Sequence, residues 1–484
     1  MAEQSLKDKT VKGTVWSAAD TFLAQGVSFV VGIVLARLLT PEEYGLIGIV
    51  TIFTTVMLGV VDSGFSNALI RKKDITNEDY NTLFVFNLVV SIALYALLYI
   101  IAPWIARFFE RPQLVELVRV MGVILLLQAF SIVHNTILTK KIDFKTKTKA
   151  SVVSAIVSGV IGIAMAFTGF GVWSLVAQQL SRQLIYSILL WIFNKWWPKI
   201  KLNIDSFKYM WGFGWKLLVS GLLDNVWKEL YQVVVGKFYT PTALGQYTRS
   251  RQYASLFSSN LTVIVQRVTY PVLAEIQNDQ ERMLNGYRRI IKTSMFITAI
   301  LMLSMGAIAE PLIYCLIGPQ WHQAATFLPL ICISMSLYPL HAINLNMLQV
   351  QGRTDIFLYL EVIKKVLAIG PICLGIFISI YWMLIGSIIT GVIAFFLNSY
   401  YTGKKLGYSS WMQLKDVAPS YGVAFLIAIS VFFLKYLPIS NWLVLPSQVL
   451  LGALVFYMVC EKVHLPEYLE VKSIVISFVR RYKS

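Results

Sequence analysis

Charge is scarce in this chain. Of its 484 residues 14% are Asp, Glu, Lys or Arg and 57% are hydrophobic, whereas soluble domains carry roughly 25% charged residues. That scarcity excludes an ordinary soluble fold. Cysteine is scarce too: Cys315, Cys332, Cys373 and Cys460 all fall in apolar runs with no CxxC spacing, which argues against a disulfide framework or a thiolate metal site. Catalytic signatures are lacking. There is no GxGxxG after a strand, no Walker A sequence, no HExxH, and no serine or cysteine nucleophile with a defined partner. No catalytic residues, metal, cofactor or nucleotide fuel are therefore expected.

What the chain has in abundance is long apolar stretches. Runs of about 18 or more residues recur along it, each long enough to cross a roughly 30 Å hydrocarbon core as a helix. Their breakers divide the sequence into about fourteen spans, centred near Phe29, Phe53, Ile92, Leu126, Gly159, Leu184, Val226, Leu261, Ile300, Met335, Ile369, Ile389, Ile427 and Gly452. The first apolar segment contains Asp20 and Gln25 and has no small-x-small cleavage site, so it reads as a retained span rather than a signal peptide.

The net charge of +17 has a topological meaning in such a protein. Arg71, Lys72 and Lys73 lie between spans 2 and 3; Lys140, Lys141, Lys145, Lys147 and Lys149 lie between spans 4 and 5; Lys195, Lys199, Lys201 and Lys208 lie between spans 6 and 7. All three loops fall on one side. Opposite loops are poorer in cations, so the positive-inside rule places both termini in the cytoplasm. Trp104, Trp191, Trp196, Trp197, Trp211 and Trp321 sit near span ends as interfacial anchors.

The chain also repeats itself. LARLLTPEEYG, from Leu35 to Gly45, returns about 200 residues later as VGKFYTPTALG, from Val235 to Gly245, keeping a cation (Arg37, Lys237), a Thr-Pro pair (Thr40 and Pro41, Thr240 and Pro241) and a glycine in register. Pro103-Trp104-Ile105 is echoed by Pro311-Leu312-Ile313, and Trp173-Ser174-Leu175-Val176 by Trp382-Met383-Leu384-Ile385. A unit of six spans is even, so the two copies share an orientation and enclose a central cleft. The expected organisation is an all-α polytopic membrane protein: an N-terminal six-helix lobe over 1–200, a C-terminal six-helix lobe over 201–408, and two further transmembrane helices with a cytoplasmic tail over 409–484.

Four segments carry a resemblance to a known family: KGTVWS (Lys12 to Ser17), LARLLTPEEYGLIG (Leu35 to Gly48), DSGFSNALIRKKD (Asp62 to Asp74) and GFGVWSLV (Gly169 to Val176). The chain resembles the Wzx and WzxC-type polysaccharide flippases of the multidrug/oligosaccharidyl-lipid/polysaccharide exporter superfamily. The resemblance implies a two-lobed, MATE- and MurJ-like bundle in the bacterial inner membrane. It implies that the bundle moves an undecaprenyl-pyrophosphate-linked oligosaccharide to the outer leaflet for surface polysaccharide (lipopolysaccharide) biosynthesis. The partners implied are that lipid-linked oligosaccharide, the bilayer, and a polysaccharide polymerase or chain-length regulator, with no nucleic acid. Two rival readings remain. A MATE-type cation-coupled drug antiporter requires a predominantly acidic cavity, and a membrane polysaccharide polymerase or ligase requires a long periplasmic loop.

Intramembrane charge is costly, from roughly 3 kcal/mol upward per group by insertion scales, so each instance asks for a reason. Span 7 is the densest, with Asp224, Asn225, Lys228, Glu229 and Gln232 near its middle. Asp224, Lys228 and Gln232 are spaced by four, on one helical stripe beside Tyr231. Lys228 either binds pyrophosphate or an acidic sugar, with Asp224 tuning it, or the two neutralise each other. Arg267 either offers its forked donors to phosphate or snorkels toward an interface near Pro271. Asp20 carries a coupling ion or pairs with a lysine, and Asp62 couples an ion or caps a helix end. Glu361, Lys364 and Lys365 form a cytoplasmic entrance or set topology, with Glu361 and Lys365 placed as an i,i+4 pair. His134 and His341 either line the cleft or are satisfied by a neighbouring helix. The Thr-Pro motifs read as helix-starting corners, although Arg37 and Lys237 stand where they could attract phosphate at the periplasmic mouth.

Overall fold

A computed structural model describes residues 23–62, 64–276 and 279–483. Among them 88% are helical and no strand is present. The helices are α1 (23–38), α2 (Pro41–Asp62), α3 (Phe65–Arg71), α4 (Asn77–Phe108), α5 (Leu114–Met121), α6 (Val123–Lys140), α7 (Phe144–Phe167), α8 (Val172–Asn194), α9 (Ile204–Phe238) and α10 (Pro241–Glu275). They continue with α11 (Gln280–Ala307), α12 (Ala309–Ile317), α13 (His322–Ser336), α14 (Tyr338–Val350), α15 (Thr354–Leu367), α16 (Ile369–Phe377), α17 (Ile380–Leu406), α18 (Ser410–Phe432), α19 (Asn441–Val463) and α20 (Pro466–Lys483). Nine helical stretches among the described residues are long and apolar enough to cross a membrane. α8, α9 and α10 have the length, at 23, 35 and 35 residues, but are interrupted by polar and charged side chains.

The chain packs as two compact units that divide after Gly245. In the first, α7 pairs with α8, α4 and α8 pack on α6, and α9 lies along α2. Small residues permit these approaches: a Cβ on Gly159 would fall 2.4 Å from Val31 Cγ2 of α1, and one on Gly162 would fall 2.7 Å from Gln178 Cβ of α8. α2 and α3 form one apolar stretch broken at Gly64, whose φ of 68° is open to glycine at no steric cost.

In the second unit α11 packs on α13 and α18, and α14 on α17. Tyr287, Met295, Met347, Phe395 and Tyr408 meet in its core. Outward faces are apolar: Leu450 of α19 is 71% exposed and Phe377 of α16 is 81% exposed. Contiguous apolar exposure on helices of this length is what lipid covers. The protein is a multi-pass membrane protein.

Candidate functional site

The site is assembled on α9, and its start is fixed first. Asn203 caps the helix, its side chain accepting from the amides of Asp205 (2.9 Å) and Ser206 (3.1 Å). The preceding segment is tied to α4: Lys199 donates its amide to Asn81 Oδ1 (2.8 Å) and Asn203 its amide to Thr82 Oγ1 (3.0 Å). Phe207 and Trp211 stack at 5.8 Å and Phe65 of α3 meets both edge-on, so the first turns of α9 are clamped by aromatic contacts.

Farther along, Asp224 and Lys228 form an ion pair at 2.6 Å with 51% and 52% of their side chains exposed. Asn225 marks the packed face beside them, since a Cβ on Gly59 of α2 would lie 2.3 Å from its Nδ2. The pair therefore stands off the α2 contact, accessible and mutually compensated. Gln232 does not extend the stripe to this pair. It donates to Glu229 instead, one turn back. Tyr231 is half-buried in the same turn.

The duplicated motifs are corners with a defined geometry. Thr40 caps α2: its amide and hydroxyl donate to Glu43 Oε2 at 2.7 and 3.0 Å, and its oxygen accepts from the Glu43 amide at 3.4 Å. Thr240 accepts from the Ala243 amide at 3.2 Å in the same way, without the glutamate. The two motifs also touch each other. A Cβ on Gly45 would fall 1.8 Å from the carbonyl oxygen of Pro241, and one on Gly245 would fall 1.9 Å from that of Pro41. Arg37 is exposed at the end of α1. Lys237 is engaged: its ammonium donates to Glu110 Oε1 at 2.9 Å and lies 5.1 Å from the Phe108 ring centroid.

Asp20 lies outside the described residues, as do the side chains of Asp62 and Arg267. Lys364 pairs with Glu361, three residues away, rather than Lys365 taking that role, because the i,i+3 neighbour already stands within reach on α15. Both histidines have partners on a neighbouring helix. His134 Nδ1 lies 3.2 Å from Asn194 Nδ2 between α6 and α8, and His341 Nδ1 lies 3.3 Å from Asn398 Nδ2 between α14 and α17.

One polar element escaped the sequence reading. Arg182, eleventh of the 23 residues of α8, donates to Ser28 Oγ of α1 at 3.0 Å. Gln183 donates to Ser131 at 3.2 Å and Tyr186 to Asn135 Oδ1 at 2.7 Å, so α8 carries a polar ladder facing α1 and α6. The signal was available in Gln178 and Arg182, four apart within an apolar span.

Residues 34–326 match the model of a family described as polysaccharide biosynthesis protein. Among curated proteins, the teichuronic acid biosynthesis protein TuaB of Bacillus subtilis (strain 168) is 26% identical over 358 residues, covering 73% of this chain and 74% of that one. The lipopolysaccharide biosynthesis protein WzxC of Escherichia coli (strain K12) is 22% identical over 377 residues, covering 77% and 76%. Among solved structures, the lipid II flippase MurJ in an inward closed conformation superposes with a TM-score of 0.70 at 16% identity, over 93% of this chain and 97% of that one. An inward-facing MATE family multidrug transporter of the MOP superfamily gives a TM-score of 0.62 at 18% identity, over 81% and 96%. These likenesses establish an all-α, MurJ- and MATE-like fold, and since the family match extends over more than half of its length, the chain belongs to the polysaccharide biosynthesis protein family.

Proposed function

We propose that the protein is a flippase. In this reading it carries an undecaprenyl-pyrophosphate-linked glycan across the bacterial inner membrane by alternating access, with the headgroup passing through a polar path and the lipid tail remaining in the bilayer. The observation that carries the reading is the Asp224–Lys228 pair: two charges on a long helix of a membrane protein, half exposed rather than packed away. Exposed to lipid, such a pair would be costly; facing water or an anionic headgroup, it is not. Support comes from the family, whose described role is polysaccharide biosynthesis, and from a fold similar to that of a lipid II flippase.

Lys228 then holds phosphate or acidic sugar when the anion displaces Asp224, with Tyr231 and Gln232 beside it on α9. Arg37, Arg267 and Lys364 are the further cations assigned to the path, and Asp20, Asp62 and Asp224 the carboxylates assigned to ion coupling. The two sequence repeats, 1–200 and 201–408, are the lobes that rock, both termini are cytoplasmic, and a polymerase or chain-length regulator takes over the product. The test is Lys228→Ala in the producing bacterium: surface polysaccharide is lost while membrane levels of the protein hold. Undiminished polysaccharide refutes the role of Lys228.

A further inference from the structure

A second basic site lies near the start of α9, away from the Asp224–Lys228 pair. Phe213 and Asp224 are separated by eleven residues, about 16 Å along the helix. Between the end of α3 and the first turns of α9 the structure has a cleft of about 410 Å³, lined by Ala68, Arg71, Lys72, Lys73, Tyr209 and Phe213, with Gly212. That volume suits a small ligand or a headgroup. We propose that this cleft docks a phosphoryl anion at the membrane surface, held by Arg71 and Lys73 with Lys72 behind them.

The charges are arranged for an incoming anion. Lys72 is fixed: its ammonium donates to both oxygens of Asp79 at 2.8 Å, Asp79 being fully buried, and stands 5.3 Å from the Tyr209 ring centroid. One carboxylate therefore compensates one of three cations. Arg71 rests over the Phe213 ring at 5.3 Å. Among the described residues neither Arg71 nor Lys73 is ion-paired, and both are exposed. A guanidinium lying on an aromatic face keeps its forked N–H edge available for phosphate oxygens. Helix α3 ends in this cleft, and its terminal carbonyls would oppose an anion. Most of them are engaged: the Lys72 amide donates to the carbonyls of Ala68 and Leu69, and Lys140 donates its ammonium to the carbonyl of Ile70 at 3.4 Å and to that of Lys72 just beyond the helix.

Placement at the surface follows from the elements. The apolar stretch 41–71 ends at Arg71 and the next begins at Asn77, so the cleft sits where two candidate spans leave the hydrocarbon. Phe207 and Trp211, stacked beside it, belong to the aromatic belt expected at that level. Tyr209 and Phe213, four apart, present one face of α9 to the cations. A phosphoryl group reaches this position either on a lipid or free in solution. The inference concerns binding alone and holds whatever cargo the protein moves.

The test uses the full-length protein in detergent, with native mass spectrometry of bound phosphatidic acid against phosphatidylcholine and, in a second arm, inorganic pyrophosphate as competitor. Wild type is expected to favour phosphatidic acid, and Arg71→Gln/Lys73→Gln to lower its apparent affinity roughly tenfold or more, on the scale of two surface cations. Displacement of the lipid by pyrophosphate assigns recognition to the phosphoryl group itself; retention assigns it to the group on its lipid. Lys73→Glu, at an exposed position, should weaken binding without altering the melting temperature, which separates the site from a folding defect. Equal binding by wild type and the double variant, or no preference by wild type for either phosphoryl probe over phosphatidylcholine, overturns the proposal.

Discussion

Gly45 and Gly245 have no room for a side chain, and what fills the space is backbone. A methyl on Gly45 meets the Pro241 carbonyl at 1.8 Å, and a carbonyl at the start of a capped helix cannot rotate away as a flexible side chain would. Overpacking of this kind costs about 1–3 kcal/mol. Gly45→Ala and Gly245→Ala should each lower the melting temperature of the purified protein, and an unchanged melting curve for both would show that the contact is not held in solution. Glu110 offers a second residue-scale prediction. Its hydrogen bond from Lys237 lowers the carboxyl's pKa from its ordinary value. The sign follows: a depressed native pKa contributes stability above the unfolded pKa and loses it as pH falls through the native one. Wild type should melt slightly above Glu110→Gln at neutral pH, with the difference fading only below about pH 4.5 as the carboxylate protonates. The bridge is exposed, so the effect is small. A difference that grew on acidification would contradict the pairing.

At the scale of elements, the helices were legible because apolar runs of membrane length have few other readings: each expected centre lies in a helix or at a helix junction, although nine stretches among the described residues, rather than fourteen, are long and apolar enough to cross a membrane. Breaks within the runs were harder to read. The α5–α6 break at Gly122 and the α13–α14 break at Leu337 each rest on a single residue whose backbone stays in the right-handed helical region, so the apolar run continues across them. The charge cluster on α9 was legible, with Asp224–Lys228 pairing as one of its two readings, but the partner of Gln232 was not: helical spacing allows it two, and the fold selects Glu229. Arg182 is harder to read because it is the one charged residue of α8 and stands among the uncharged polar residues Gln178, Gln179, Ser181 and Gln183, with long apolar segments on both sides. The Asp224–Lys228 pair poses a question that only an element-scale exchange answers. Asp224→Lys/Lys228→Asp keeps a neutral i,i+4 pair and forfeits at most a few tenths of a kcal/mol of helix stability through reversed orientation. If the charges merely cancel, the exchange restores polysaccharide export that Lys228→Ala abolishes. The flippase reading expects export to stay lost at normal protein levels, because the cation has moved one turn from the anion it must meet.

For the molecule as a whole, the argument concerns which side faces the cytoplasm. In the first unit the three basic loops gather at one end by direct bonds: Lys140 reaches the carbonyls of Ile70 and Lys72, Lys199 bonds Asn81, and Asn203 bonds Thr82. Helix α4, 32 residues and about 48 Å long, runs from that end to the segment carrying Glu110 and Arg111 at the other. Asn77 and Arg111 must therefore lie across the membrane from one another if α4 spans it, and the positive-inside bias leads us to propose that the cation-rich end is the cytoplasmic one. The check is labelling of introduced cysteines with a membrane-impermeant maleimide in right-side-out vesicles, in a background where exposed Cys373 is replaced. Arg111→Cys should react at once, and Lys145→Cys, in the loop between α6 and α7, only after permeabilisation. The reverse pattern would invert the protein, moving the Arg71–Lys73 cleft to the outer surface and the Thr-Pro corners to the cytoplasmic one. Labelling of both positions in sealed vesicles would mean that α4 does not separate the two loops by a bilayer.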